Sequence, residues 1–510
     1  MTAAISIARI ADALERAGLL VSRHGVLPES APAITDDSRA VGPGALFLAV
    51  RGAVRDGHDF LAAAERAGAA VAMVEDADRT GLPVLVVREG RRAAAIAAAA
   101  AWGEPARQLQ LVAVTGTNGK TTTVGMLRHL LDTGDAPCAS IGTLGVLLGS
   151  AGEPMPGGGG LTTPGPVELQ RLFRALVDRG VRRVAMEVSS HALDQRRIEG
   201  VAYDAAVFTN LTRDHLDYHG TMEAYLEAKA RLVELLAPEG AAIVNADDPA
   251  WTALPPAPRL VRFAIEARDV EVRADDVRFG PRGSEWTLAC GAERHAVRLP
   301  LIGDFNIANA LGAAAAAWSL GDAPAAIARR LATLPQVPGR LEILNERPTV
   351  LRDYAHTPDA LARALDAVRP FARRRLVVVF GAGGDRDAGK RPLMGRVAQE
   401  KADYVVVTSD NPRTEDPERI LDDILAGMTP GDARVARIED RRDAIAHAIE
   451  TAGEDDVVVL AGKGHETYQI RGTTSHPFDE PAIVRELTAR RACLTTLRDH
   501  ETRDPRERGT

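Results

Sequence analysis

Val112-Ala-Val-Thr-Gly-Thr-Asn-Gly-Lys-Thr-Thr-Thr123 carries an apolar strand straight into a glycine-bearing turn that ends in Lys-Thr. That order builds a triphosphate cradle, because glycines let backbone N–H groups turn inward toward phosphate oxygens. Gly116, Thr117, Asn118 and Gly119 form the turn, and Lys120 can reach the β- and γ-phosphates. Thr121 can offer its hydroxyl to Mg²⁺, with Thr122 beside it on the ATP side. The spacing is tighter than G-x-x-x-x-G-K-[ST], since Val114 stands where the first glycine of that pattern would fall. A strand–helix turn that binds no nucleotide is the competing reading.

Working outward, strands and helices alternate from the Gly103-Glu-Pro-Ala-Arg107 break to the Pro335-Gln-Val-Pro-Gly339 break. Buried parallel strands are predicted at 181–188 and 205–209 and a helix at 222–236, which together read as a doubly wound α/β domain over residues 107–337. Residues 269–297 alternate like antiparallel hairpins and are read as an edge of the same sheet. A smaller α/β domain precedes it at 1–106, closing with an alanine-rich helix at 91–102. A Rossmann-like α/β domain follows at 338–497, with strands predicted at 350–354, 376–380, 404–408, 434–438 and 456–460. Three of these run into Gly381-Ala-Gly-Gly-Asp-Arg-Asp387, Ser409-Asp-Asn-Pro-Arg413 and Gly462-Lys-Gly-His-Glu466. Ligands of open α/β sheets bind outside the carboxyl ends of strands, so these loops are expected to share a site. Residues 498–510 read as a frayed polar tail.

Composition limits the function. A chain of 510 residues is long for one core, and its 45% hydrophobic and 26% charged content is that of a soluble globular protein. A formal net charge of −8 argues against binding nucleic acid through phosphate contacts. The three cysteines, Cys138, Cys290 and Cys493, lack C-x-x-C spacing, so neither a disulfide framework nor a zinc site is suggested and a cytoplasmic setting fits. No secretion signal or membrane-spanning run is seen.

Other residues carry chemistry with alternatives open. Glu187 ends a buried strand in Met186-Glu-Val-Ser-Ser-His-Ala-Leu193, where a carboxylate would meet a metal ion or a neighbouring arginine. His215 lies in Asn210-Leu-Thr-Arg-Asp-His-Leu-Asp-Tyr-His-Gly220 and is either a second metal ligand or solvated. Lys229, on a helix, reads by itself as a solvated face residue. Asn306 and Asn309 could serve as helix caps, Thr162-Thr163-Pro164 as the cap of a proline-started helix, and Arg413 as a surface salt-bridge residue.

Gly116-Thr-Asn-Gly-Lys-Thr-Thr122 and the 210–220 loop together resemble the Mur ligases, relatives of the folylpolyglutamate synthetases, and the resemblance extends over nearly the whole chain. It implies an ATP-dependent amide ligase that works through an acyl phosphate. It implies that Lys229 is carbamylated by CO₂ and ligates Mg²⁺ beside His215 and Glu187, making Lys120, Glu187, His215 and Lys229 the catalytic set. It also implies adenine and phosphate contacts at Asn306 and Arg340, the latter reaching the γ-phosphate after domain closure, and ribose-side contacts at Asp353, Tyr354 and His356. Thr35-Asp-Asp-Ser-Arg39 resembles the family's uridine motif, so that Ser38, Thr162, Thr163, Ser189, Gln195 and Arg197 would contact UDP-N-acetylmuramoyl-L-alanyl-D-glutamate. Asp410, Asn411, Pro412 and Arg413 resemble the branch that adds meso-diaminopimelate rather than L-lysine. There a guanidinium can clamp the distal carboxylate that lysine lacks, with Arg386, Gly462 and Glu466 completing the site. A monomer is expected, acting in peptidoglycan precursor synthesis.

Overall fold

Runs of β-branched residues dictate where the sheets form. A computed structural model describes residues 4–52, 55–158, 160–280 and 282–502. In it, Gln110–Thr115 lies in the middle of an eleven-stranded sheet, flanked by Arg183–Glu187 on one side and Tyr203–Phe208 on the other. Both pairings are parallel, with Glu187 opposite Val114 and Phe208 opposite Thr115. The register brings the carboxyl ends of the three strands out side by side. Cys138–Gly142 extends the parallel part on one flank, and Leu236–Asn245 and Arg259–Ala264 extend it on the other. Val272–Gly280, Gly283–Cys290 and Glu293–Leu299 continue the edge, where the alternation of 269–297 had put them. Leu111, Ala113, Val184, Met186, Ala206 and Phe208 are fully buried, each branched or aromatic side chain contributing about 1.5–3 kcal/mol.

The amino-terminal sheet runs Leu20–His24, Val84–Val87, Val71–Val74, Leu46–Leu48, Ile34–Thr35. Only its first pair is antiparallel. Helices Ile7–Arg16 and Gly90–Ala101 pack together over it, the second burying seven alanines that allow close approach. The carboxy-terminal sheet has the order Glu342–Glu346, Thr349–Asp353, Val457–Ala461, Leu376–Phe380, Tyr404–Val407, Val435–Arg437. It is parallel apart from the first hairpin, and a separate core fills each face.

Contacts group the chain into two compact units. One is Met1–Asp275 with Thr287–His295 and Ala308–Leu331; the other is Asp276–Trp286 with Ala296–Ile307 and Ala332–Thr510. The last helix, Glu480–Thr502, runs through the start of the tail expected at 498–510, because helical hydrogen bonding outlasts the apolar pattern; 503–510 lie outside the described residues. Among the described residues no helix is long and apolar enough to cross a membrane. Cys138 and Cys290 are free, buried thiols.

Candidate active site

The phosphate loop leaves its strand at Gly116, whose φ of 143° and tight surroundings admit no side chain: a Cβ there would lie 1.9 Å from Thr209 Oγ1. The next strand clamps the loop. Thr117 N donates to Asn210 O at 2.7 Å, Asn118 N to Asn210 Oδ1 at 2.9 Å, and Thr209 Oγ1 to Asn118 O at 2.7 Å. Gly119 hands over to the helix Lys120–Leu131, whose first N–H groups make an anion site with Lys120 at its head. Lys120 Nζ donates to Gly116 O and Thr117 O, each at 2.8 Å, so the ammonium is parked on the loop it serves. Thr117, Thr121 and Thr122 are buried. Asn309 Oδ1 accepts from Thr123 Oγ1 at 3.4 Å, bracing the helix start rather than capping its own helix.

Lys229 is buried, not solvated. Its Nζ donates to Gly116 O at 2.9 Å and lies 4.5 Å from the centre of the Tyr225 ring. Burial pulls its pKa well below the ordinary lysine range, the Lys120 charge adds to this, and Asp214 opposes it. Helical periodicity had put Lys229 on an outer face; what covers it is the phosphate loop itself, which periodicity does not register. Glu187 is also buried, and among the described residues its carboxylate has no arginine partner. It accepts from Thr143 N at 2.8 Å and from Thr143 Oγ1 at 3.1 Å. His215 takes a left-handed φ of 54° and starts a short helix, its ring 4.8 Å from that of His191. Burial and the adjacent His215 push the His191 pKa down to about 4. Among the described residues no group of three His, Cys, Asp or Glu side chains is arranged to hold a metal ion.

Of the residues read as muramoyl-dipeptide contacts, Thr162, Thr163, Ser189, Gln195 and Arg197 are linked by hydrogen bonds beside Glu187. Thr163 Oγ1 donates to Glu187 O at 2.9 Å and accepts from Ser189 N at 3.0 Å, while Thr143 Oγ1 donates to Thr162 Oγ1 at 3.3 Å. Arg197 donates through Nη1 to Thr163 O at 3.1 Å and through Nη2 to Gln195 Oε1 at 2.6 Å. Its charge is felt by Asp36, two residues before Ser38, where burial pushes the carboxyl pKa up and Arg197 partly restrains it.

In the second unit, Asn306 Nδ2 donates to Ile302 O at 2.7 Å. Arg340 stacks 4.6 Å from the centre of the Tyr354 ring, which lies 4.6 Å from the ring of His356. Asp353 Oδ2 accepts from Leu341 N at 2.7 Å, and burial raises its pKa against the pull of Arg340. The three strand-end loops of this unit do come together. Gly384 N donates to Asn411 O at 2.9 Å and Arg413 Nη1 to Gly384 O at 2.7 Å, with Pro412 packed on Gly384. The Arg386 stem and the Arg413 guanidinium flank Gly383. Asn411 Nδ2 donates to Glu466 Oε2 at 2.8 Å, and Gly462, at φ 112°, sits where a Cβ would lie 2.3 Å from Asp410 Oδ2. Burial, with Asp410 adding to it, raises the Glu466 pKa.

Sequence reasoning passed over Thr143, Asn210, Arg441 and Lys463. Lys463 stood inside Gly462-Lys-Gly-His-Glu466, a motif that does not tell a buried lysine from a solvated one.

Comparison with known proteins finds relatives over most of the chain. Residues 32–110 match the model described as Mur ligase family, catalytic domain; 114–317 match the Mur ligase middle domain, and 339–464 the Mur ligase glutamate ligase domain. Over 473 residues the chain is 45% identical to UDP-N-acetylmuramoyl-L-alanyl-D-glutamate--2,6-diaminopimelate ligase of Geobacillus thermodenitrificans (strain NG80-2), covering 90% of this chain and 95% of that one. The protein of that name from Synechococcus elongatus (strain ATCC 33912 / PCC 7942 / FACHB-805) is 44% identical over 491 residues, covering 93% and 97%. A solved structure of a ligase with the same name matches with a TM-score of 0.65 at 33% identity, covering 92% of this chain and 98% of that one. The chain belongs to the Mur ligase family, and with it to the ATP-dependent ligases that form amide bonds.

Proposed function

We propose that this chain joins meso-diaminopimelate to the D-glutamate of UDP-N-acetylmuramoyl-L-alanyl-D-glutamate in the cytoplasm, at the cost of ATP. The observation that carries this reading is the Asp410–Arg413 loop, zipped to the Gly381–Asp387 loop in a chain nearly half identical to ligases named for 2,6-diaminopimelate. ATP would phosphorylate the D-glutamate side-chain carboxylate, and an amine of meso-diaminopimelate would displace phosphate from that acyl phosphate, leaving amide, ADP and phosphate. Residues 1–106 would hold the uridine end, 107–337 the triphosphate and 338–497 the incoming amino acid.

Lys120 and the helix N-terminus would meet the triphosphate charge, on a loop that Gly116 lets pack directly against Thr209 and Asn210. Asn306, Arg340, Asp353 and His356 are the other nucleotide contacts proposed. Mg²⁺, held by Thr121, Glu187, His215 and a Lys229 carbamate, would neutralise charge on the transferring phosphoryl group. Two of these donors, the buried Thr121 hydroxyl and the buried Glu187 carboxylate, are oxygens of the kind Mg²⁺ takes. Lys229 fits modification because the free amine, not the ammonium, adds to CO₂, and its burial favours the free amine. The free amine forms one N–C bond to CO₂ and releases one proton, so a neutral amine is replaced by an anion.

Phosphate release with ATP, Mg²⁺ and UDP-muramoyl dipeptide tests the reading, with meso-diaminopimelate, L-lysine or D-alanyl-D-alanine as acceptor. Turnover is expected with meso-diaminopimelate. A preference for L-lysine or the dipeptide would replace the proposal with the other branch.

A further inference from the structure

The amino-acid loops enclose a lysine that the substrate contacts do not account for. Lys463 is completely buried, and its Nζ donates to Asn411 Oδ1 at 3.0 Å and to Tyr468 O at 2.7 Å. The same nitrogen lies 3.6 Å from Glu466 Oε2 and 4.0 Å from Asp410 Oδ1. Thus the two acidic groups of the pocket and the amide between them are all tied to one ammonium. A buried lysine with two carboxylates around it leaves the cluster one negative charge in excess.

We propose that Lys463 is a positioning and charge-setting residue: it holds Asp410, Asn411 and Glu466 in place and leaves the pocket one unbalanced negative charge, matched to one ammonium of the incoming amino acid. Arg413 and Arg386, flanking Gly383 in the adjoining loop, supply the complementary cations for a carboxylate. The pocket then selects a zwitterionic end group, ammonium and carboxylate on one carbon, over the bare ammonium of a lysine side chain. This inference rests on the amino-acid site proposed above.

Its signature is in pH. Glu466 faces Asp410 and Lys463, and Tyr354 and Tyr468 sense its charge. Lys463 in turn faces Asp410, Glu466, Glu480 and the buried Arg441. Glu466 is already raised by burial and by Asp410, and Lys463 lowers it. Removing the cation therefore raises it further, so the pH above which the carboxylate is ionised moves up.

The test compares wild type, Lys463→Met and Lys463→Gln in kcat/KM for meso-diaminopimelate from pH 6 to 9.5, at saturating ATP and UDP-muramoyl dipeptide. Taking the ratio of variant to wild type cancels titration of the substrate's own amines. Both variants should lose most at the acid end and recover toward wild type at the alkaline end, as the acid limb moves to higher pH. KM for ATP should be unchanged, which also certifies the fold. Glutamine keeps a hydrogen-bond donor without the charge, and stands as the test by itself if the methionine variant does not fold. A Lys463→Gln enzyme with the wild-type profile, or a loss that is the same at every pH, would overturn the proposal. Failure of the wild type to use meso-diaminopimelate would instead overturn the site reading beneath it.

Discussion

Two lysines donate to the carbonyl oxygen of Gly116, at 2.8 Å from Lys120 and 2.9 Å from Lys229, and they are not equivalent. Lys120 heads a helix and faces the loop; Lys229 is sealed beneath it. Lys120→Ala should abolish phosphate release while leaving thermal unfolding near wild type, since transition-state charge loses a contact of several kcal/mol. Turnover near the wild-type rate would remove the nucleotide assignment. Lys229→Ala should be nearly inactive too, but formate or acetate should restore part of its activity by supplying the missing carboxylate oxygens, and neither should rescue Lys120→Ala. An unmodified Lys229 by mass spectrometry under bicarbonate, with an active alanine variant, rules the carbamate out. Arg413→Ala should lower kcat/KM for meso-diaminopimelate by about 10²-fold, as expected for deleting one side of a bidentate charge pair, and scarcely alter the poor use of lysine. Equal losses for both amino acids would make Arg413 a brace for Gly384 and nothing more.

At the scale of elements, function is concentrated where parallel strands end. The register of Asp353 with Ala461 and of Phe380 with Val407 fixes the carboxyl ends of the second sheet on one edge. Gly462 lies against the Asp410 carboxylate at that edge, so Gly462→Ala should displace that carboxylate and raise KM for the amino acid by tenfold or more. KM for ATP should hold, and parallel rises in both would show that the whole sheet had shifted. The strands, the phosphate turn and the clustering of the three loops were legible in the chain because each depends on local pattern: valine runs, glycine–lysine spacing, proline after asparagine. What was not legible depends on burial from a distance. Nothing near Lys229 in sequence tells that Gly116 covers it, and nothing near Glu187 tells that Thr143 will satisfy its carboxylate. Lys463 likewise reads as solvated until its cover is known.

At the scale of the whole molecule, the second unit rests on a buried ion pair. Arg441 Nε donates to Glu480 Oε1 at 2.8 Å with both side chains fully buried, and Nη2 reaches Ala461 O at 3.0 Å. It joins the final helix to the strand end that precedes Gly462. Arg441→Met strands a buried carboxylate and should cost about 3–5 kcal/mol, read as a lower urea midpoint. A midpoint unchanged to within experimental scatter would show that Glu480 finds water instead. The pairing of the two lysines on Gly116 has a consequence at this scale as well. Carbamylation would set an anion where a buried amine stood beside the Lys120 ammonium, so the loop would be tuned by a dissolved gas before any nucleotide arrives. Protein degassed and stored without bicarbonate should then start its first turnovers after a lag that added CO₂ abolishes, coupling the onset of wall synthesis to the carbon dioxide tension of its surroundings.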